Sequence, residues 1–375
     1  MEKIKIIKVE KKKDQKEFVK FPLRLYKGNP YFVPPLFSDE MKIFGNKHTY
    51  VSTCDTVCFL AKKGNETVGR IQGILQKQYN EIHGTNQVRF SRFDTINDEE
   101  VAKLLLEAVE NWGREIGADT VVGPLGFSDL EREGLLIEGF DHLATFEEQY
   151  NYDYYQSLIE KNGYQKDVDW VEYRIFPEVY KNEQLYKIGK EALEKLGLHF
   201  GGEGLKKRAY IKKYKDGIFA CLDECYKELY GTVPFTPEMI KEMVAQFILV
   251  LNRKYIFVLC DKDENVVSFG FAIPAIGKDV QKSGGRLTLP TIFKVLRTVR
   301  NPKGLDMALV GIMPKYRNTG LNAIIIAEIQ SMMKRDKIEY METNLNLEDN
   351  ISVQGQWKYF KNIQHKRRRS YKKEL

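Results

Sequence analysis

The sequence predicts a mixed α/β protein of the α+β kind, built from one unit used twice. Three observations predict it. Strand-like and helix-like patterns alternate through all 375 residues. The same order of elements returns in the second half. An apolar run from Leu305 to Met313 stops at Pro314, crosses a short basic turn containing Gly320, and enters a helical pattern that reaches about Arg335.

The length fits two domains. Hydrophobic content of 43% with 12% aromatics is ample for real cores and excludes wholesale disorder. The net charge of +7 is mildly basic, which suits an anionic ligand such as a nucleotide without demanding nucleic acid. The basic clusters, Lys11 to Lys13 and Lys366 to Arg369 with Lys372 and Lys373, read as solvated strand faces or frayed ends. The start of the chain leads into a short mixed strand rather than an apolar leader, and no run approaches the length of a membrane span. The five cysteines are an odd number without zinc-finger histidine spacing, so they read as thiols in a reducing, cytoplasmic setting, with no metal site.

Ile4 to Val9 alternates as a first strand, and Lys16 to Tyr26 follows as a helix interrupted at Pro22. Asn29 to Leu36 is a rigid aromatic connection. Val57 to Lys62 and Glu66 to Gln76 form a hairpin across Lys63-Gly64-Asn65. Val88 to Phe93 is a strand. Asp98 caps a helix from Glu99 to Gly117, with Val101, Leu105 and Val109 on its apolar stripe. Asp119 to Gly123 is a strand, Asp129 to Phe140 a loop with a short helix, Tyr152 to Lys161 a helix, and Asp167 to Phe176 a strand.

The second unit opens with the helix Asn182 to Leu196. Leu198 to Tyr214 reads as a strand kinked at Gly201, Gly202 and Gly204. Helices follow at Ile218 to Tyr230 and Thr236 to Leu251, then a hairpin of Tyr255 to Cys260 with Val266 to Ile276. Leu289 to Arg300 is a basic helix. After the loop-bearing strand and its helix come a strand at Ile338 to Asn344, a helix at Asp349 to Phe360 and a strand at Gln364 to Tyr371. The repeat divides the chain into residues 1–178 and 179–375.

The turn Tyr316-Arg317-Asn318-Thr319-Gly320-Leu321-Asn322 carries the chemistry. A strand, a tight turn and a helix start aim backbone N–H groups and the positive end of a helix dipole at one point, which suits phosphate. Arg317 adds a fixed charge and Gly320 permits close backbone approach. The bland alternative is a strand-to-helix turn with a surface Arg. The first unit has no such loop: its counterpart, Thr95 to Glu100, ends in three carboxylates that repel a pyrophosphate.

The turn resembles the acyl-CoA pyrophosphate loop of the GCN5-related N-acetyltransferase (GNAT) superfamily, whose pattern is Arg/Gln-x-x-Gly-x-Gly/Ala. Arg317 and Gly320 match it, and Asn322 stands where the family has Gly or Ala. More widely, the chain resembles bacterial two-domain GNAT-like proteins. The shared motifs are Phe21-Pro22, Leu25-Tyr26, Asn29 to Leu36, Val68 to Ile71, Gly123 to Ser128, Gly134 to Asp141 and Tyr150 to Tyr155.

The resemblance implies a tandem GNAT-like fold with acetyl-CoA or another acyl-CoA bound by the second domain. The pyrophosphate would sit on Tyr316 to Leu321. The pantetheine would pair with backbone at Val310 and Ile312, and Asn350 would bond it or serve as a plain N-cap. An amine acceptor would attack the thioester directly. Glu342, one residue beyond Met341 on its strand, is the candidate base, or else a salt-bridged strand carboxylate. Tyr359 is the candidate thiolate acid, with Trp357 as contender and a core aromatic as alternative. Two other functions remain open: a non-catalytic or regulatory protein of this fold, and an aminoacyl-tRNA-dependent aminoacyltransferase of the peptidoglycan type, for which only the basic helix Leu289 to Arg300 speaks.

Overall fold

The computed structural model describes residues 2–45 and 48–375. One mixed sheet of 14 strands runs through the protein. In the first half the strands are β1 (Ile4–Lys8), β2 (Cys54–Lys63), β3 (Glu66–Gln76), β4 (Gln87–Thr95), β5 (Thr120–Gly123), β6 (Leu135–Glu138) and β7 (Gln165–Val179). In the second they are β8 (His199–Phe200), β9 (Ile256–Cys260), β10 (Val266–Pro274), β11 (Gly304–Ile312), β12 (Tyr340–Glu342), β13 (Asn346–Leu347) and β14 (Phe360–Glu374).

The strand order is β1-β2-β3-β4-β5-β14-β7-β12-β11-β10-β9-β8, with β6 and β13 paired off this path. The two last strands are exchanged. β14 pairs with β5 through Tyr371–Gly123 to Glu374–Thr120. β7 pairs with β12 through Met341–Ile175 and Glu342–Arg174. Between them β14 and β7 run antiparallel along almost their whole length. Each half therefore completes its sheet with the final strand of the other. Each half also has one parallel pair, three residues long: β4 with β5, and β11 with β12.

The exchange explains the basic C-terminal cluster, which is not a solvated face or frayed end. Lys366 and Arg368 are buried at the centre of the sheet. Lys366 Nζ lies 2.8 Å from Glu148 and 3.1 Å from Glu172, and Arg368 Nε lies 2.6 Å from Glu172. Charges survive burial only when paired and hydrogen-bonded in this way.

Helix packing follows the sequence pattern. Asp98 accepts from the N–H groups of Glu100 and Val101 and starts the helix Glu99–Glu115. That helix lies close on β3 because Gly69 and Gly73 have no side chain: an added Cβ would meet Leu105 at 2.6 Å and Trp112 at 2.8 Å. Arg70, between them, is buried, with Nε 2.7 Å from Asp94 and a second donor on the Phe18 carbonyl. In the second half the helix Leu321–Arg335 packs against the helix Asn182–Leu196 and the sheet.

Three expectations are corrected. Leu198 to Tyr214 is not a strand: only His199–Phe200 is extended, and Lys207–Tyr226 is one long helix. Tyr210 and Tyr214 fit a helical spacing that the glycines before them obscure, and Gly202 leaves room for the Tyr210 ring. The segment Asp129 to Phe140 holds β6 and no helix, because it pairs with β14. Asp349 to Phe360 is not a continuous helix but a short turn of helix, Ile351–Gln354, broken before the 3-10 turn Trp357–Tyr359.

Candidate functional site

β11 and β12 stay paired only from Gly304 to Asp306. Beyond that point they part, and Asn344 spans the gap with its amide 2.9 Å from the Ala308 carbonyl. The parting opens a groove of about 370 Å³ along Met307 to Ile312. Met313 N–H donates to Val267 on β10, so by alternation Val310 and Ile312 turn their own backbone groups to the open edge. Tyr226 donates to the Val310 carbonyl at 3.0 Å. The Ile312 carbonyl accepts from Arg317 Nε at 3.3 Å. The N–H groups on that edge face the groove.

At one end of the groove stands the basic turn. Pro314–Tyr316 forms a single 3-10 turn, Asn318 has φ 62°, and Gly320 has φ 88°. Gly320 is the residue before the helix Leu321–Arg335, and no side chain caps that helix. Its first N–H groups are free for an anion. A guanidinium nitrogen of Arg317 also lies 3.2 Å from the Cys225 carbonyl, placing its charge at the groove mouth. In the first half the equivalent sites are closed. Asp98 caps its helix, and Thr95 on the β4 edge is held by Tyr155 at its N–H, 2.8 Å, and by Tyr154 at its carbonyl, 2.7 Å.

The structure brings together Val310, Ile312, Arg317, Asn318, Asn322 and Asn350 as groove lining. Asn350 also caps its short helix, its side chain accepting from Val353 N–H at 3.2 Å. Tyr316 and Leu321 pack into the core beneath the turn. Thr319 donates to the Tyr316 carbonyl and stabilises the turn, 2.7 Å.

Two residues lie elsewhere. Glu342 does not line the groove. It is buried on β12, with one oxygen 2.7 Å from Arg174 Nε and the other 2.6 Å from His365 Nε2. Burial alone would push its carboxyl up; His365, Lys366 and Arg174 outweigh that and hold it below the usual range. Tyr359 does not line the groove either, and packs against the core of the second half. Trp357 does line it, with its indole Nε1 buried and without a partner among the described residues.

The far end of the groove is acidic. It runs into a smaller chamber of about 80 Å³ shared between the halves, where Asp129 and Glu133 of the first half face Asp306 and Thr343 to Leu345 of the second. Burial pushes the Asp129 carboxyl up to about 7. Burial, then the neighbouring Asp129, pushes Glu133 well above the carboxylate range. Burial does the same to Asp306. Sequence reasoning missed these residues and Tyr226. The one signal was the density of acids in Asp129 to Glu133, directly after the Gly123 to Ser128 motif.

Among the described residues no helix is long and apolar enough to cross a membrane, and no group of three or more His, Cys, Asp or Glu is placed to hold a metal ion.

The overall architecture has a counterpart among solved structures. A tandem GNAT protein from the clavulanic acid biosynthesis pathway superposes over 99% of this chain and 98% of its own, with a TM-score of 0.53 and 11% sequence identity. The fold is the tandem GNAT fold. No family model matches the chain. Two bacterial relatives align over most of it. Protein YghO of Escherichia coli is 25% identical across 97% of this chain and 94% of its own. The bacterial ceramide synthase of Caulobacter vibrioides is 22% identical across 84% and 82%. In this tandem GNAT fold the open edge and free helix start belong to the second half.

Proposed function

We propose that the chain is an acyl-CoA-dependent N-acyltransferase, with acetyl-CoA or a longer acyl-CoA as donor and an amine as acceptor. Residues 1–178 and 179–375 are its two units, and the donor site is in the second. The observation that carries this reading is the contrast between the halves. The second leaves the N–H groups of a strand edge and an uncapped helix N-terminus beside Arg317, with only the edge carbonyls of Val310 and Ile312 taken by Tyr226 and Arg317, whereas the first holds both the N–H and the carbonyl of Thr95 and caps its helix with Asp98. An open edge can pair with the amides of a pantetheine arm, and a free helix start can hold its pyrophosphate.

The amine attacks the thioester carbonyl carbon directly. N–H groups of the β11 edge stabilise the oxyanion, and the buried Trp357 indole N–H on the groove lining, without a partner among the described residues, is a further donor. The name of one relative, a ceramide synthase, denotes formation of an amide on a long-chain amino alcohol. The apolar surfaces of Leu130, Phe247 and Phe271 beside the acidic chamber give such a body a place to lie. Amines with apolar bodies are therefore the first acceptors to try.

Thermal-shift titration with CoA, acetyl-CoA and long-chain acyl-CoAs tests the donor site. A ligand at about 100 times its dissociation constant adds roughly 2.7 kcal/mol of stability. A rise in Tm that Arg317→Glu abolishes is the expected result. No shift at millimolar concentrations of any CoA ester favours the second reading, a GNAT-fold protein without acyltransfer. Asn322 in the pyrophosphate turn, and the Tyr226 hydroxyl already on the β11 edge, speak for that reading.

A further inference from the structure

We propose that Asp129 and Glu133, both from the first half, bind the acceptor ammonium and take its proton, so that the first half completes an active site whose donor groove lies in the second. This rests on the acyl-CoA reading above, and assigns the base to these residues instead of Glu342.

Glu133 is only 6% exposed, yet it has no hydrogen-bond or ion-pair partner among the described residues. Its carboxylate reaches the space where the groove and the chamber meet. Asp129 stands beside it. A Cβ added at Gly231 would lie 3.7 Å from Glu133 Oε2 and 4.0 Å from Asp129 Cβ, so both acids border one small volume. The cation felt by both acids is the buried Arg89, whose terminal nitrogens donate to the carbonyls of Gly126 at 3.1 Å and Gly231 at 3.2 Å, while its Nε has no hydrogen-bond partner among the described residues. It fixes the loop that carries the two acids and forms no ion pair with either.

A buried acid without a partner destabilises a fold, and a structural role would have given it one. Here the missing partner is a cation, and the space opens on the β11 edge where a thioester carbonyl would lie. The other charged or titratable groups around the pair are Arg89, Arg368 and Asp223, with Glu131, Glu147, Glu148 and Asp306 across the chamber and Cys225, Tyr226, Tyr230 and Arg317 on the groove side. Burial places the Asp129 carboxyl at about 7, suited to accepting a proton near neutrality. Glu342, by contrast, is closed off by Arg174 and His365.

The step balances as follows. The ammonium gives one proton to the Asp129–Glu133 pair and becomes a free amine. Its lone pair forms the C–N bond at the thioester carbonyl carbon. The C–S bond breaks as the tetrahedral intermediate collapses, and the nitrogen's second proton goes through the pair to the departing CoA thiolate. The first proton leaves to solvent. The products are the amide, CoA thiol and one proton.

The test uses the full chain, saturated with CoA, and octylamine as the probe. Calorimetric titrations in two buffers of different ionisation enthalpy count the protons released per amine bound. The expected result is binding with release of up to one proton at pH 7, both lost at least tenfold in Asp129→Asn/Glu133→Gln, while CoA binding stays within twofold. The double variant should melt no lower than the wild type, since it removes two carboxyls that the site pushes up and that have no ion-pair partner to lose among the described residues. Unchanged amine binding and proton release in the double variant overturn the proposal. So does a wild-type protein that binds CoA but not octylamine. Failure to bind CoA at all sinks the acyl-CoA reading itself, a different and separately visible outcome.

Discussion

His365 and Glu342 meet across the seam between the halves, Nε2 to Oε2 at 2.6 Å. Nδ1 of the same ring lies 3.1 Å from the Glu172 carbonyl. Both ring nitrogens thus lie close to oxygen atoms, one of a carboxylate and one of the backbone. The pair ties β14, the strand contributed by the end of the chain, to β12 beside it across β7.

Glu342 is therefore expected to matter for stability and not as a base. Removing one partner of a buried ion pair costs about 3–5 kcal/mol, so Glu342→Gln should lower the denaturant midpoint sharply. The fraction that stays folded should keep its pH profile. The sign of the acid response is set by the lowered carboxyl: its stabilisation is complete above the unfolded value near 4.5 and is lost as pH falls through the folded value. Urea unfolding of wild type and variant between pH 3 and 6 checks this.

Asp129 behaves in the opposite sense. Burial raises its carboxyl from 3.8 to about 7. The folded state binds the extra proton, so stability declines as pH rises from about 4 to 7. At 1.36 kcal/mol per unit the full effect is roughly 4 kcal/mol. Glu147, also raised to about 7 by burial, adds to the same slope. Asp129→Asn should flatten the pH dependence and raise stability at neutral pH, as measured by chemical unfolding at fixed pH steps.

Cys225 offers a direct probe of the groove. It lines the groove and is half-buried, while Cys54, Cys58, Cys221 and Cys260 are buried. A hydrogen bond from Cys221 holds its thiol below the usual value despite burial, with Arg317 adding to the effect. Iodoacetamide should modify Cys225 first. CoA should slow the reaction severalfold, and Arg317→Glu should slow it without CoA. Peptide mapping by mass spectrometry with and without CoA reads both effects.

Gly320 holds the turn by its φ of 88°. A Cβ there would meet Ile188 at 3.4 Å, an ordinary contact, so the penalty of Gly320→Ala is conformational. A left-handed L-residue costs roughly 1–2 kcal/mol. The variant should lose about that much stability, and CoA affinity should fall at least tenfold as the helix start shifts. Thermal unfolding together with a CoA titration separates the two.

The turn and its helix were legible because every feature is local: Pro314 after an apolar run, Gly320 at a left-handed position, and helical periodicity to Arg335. The helices Asn182–Leu196 and Leu289–Arg300 were legible for the same reason. In Leu198 to Tyr214 the three glycines suggest a bent strand, while the tyrosine spacing four apart fits the helix that forms. Glu342 was placed on its strand correctly, but no pattern along the chain shows that a residue twenty-three positions later will close over its carboxylate.

The sequence by itself determined the alternation of elements, the duplicated plan and the basic turn before the helix Leu321–Arg335, since these depend on hydrophobic period and turn chemistry within a few residues. Only the tertiary structure decided the exchange of β7 and β14, the burial of Lys366 and Arg368 against Glu148 and Glu172, and the meeting of Asp129 and Glu133 with the open edge of β11. Strand exchange leaves each strand's own pattern unchanged, because either neighbour satisfies the same ladder. A charged strand reads as solvent-facing until its partners are known, and those partners lie about two hundred residues away.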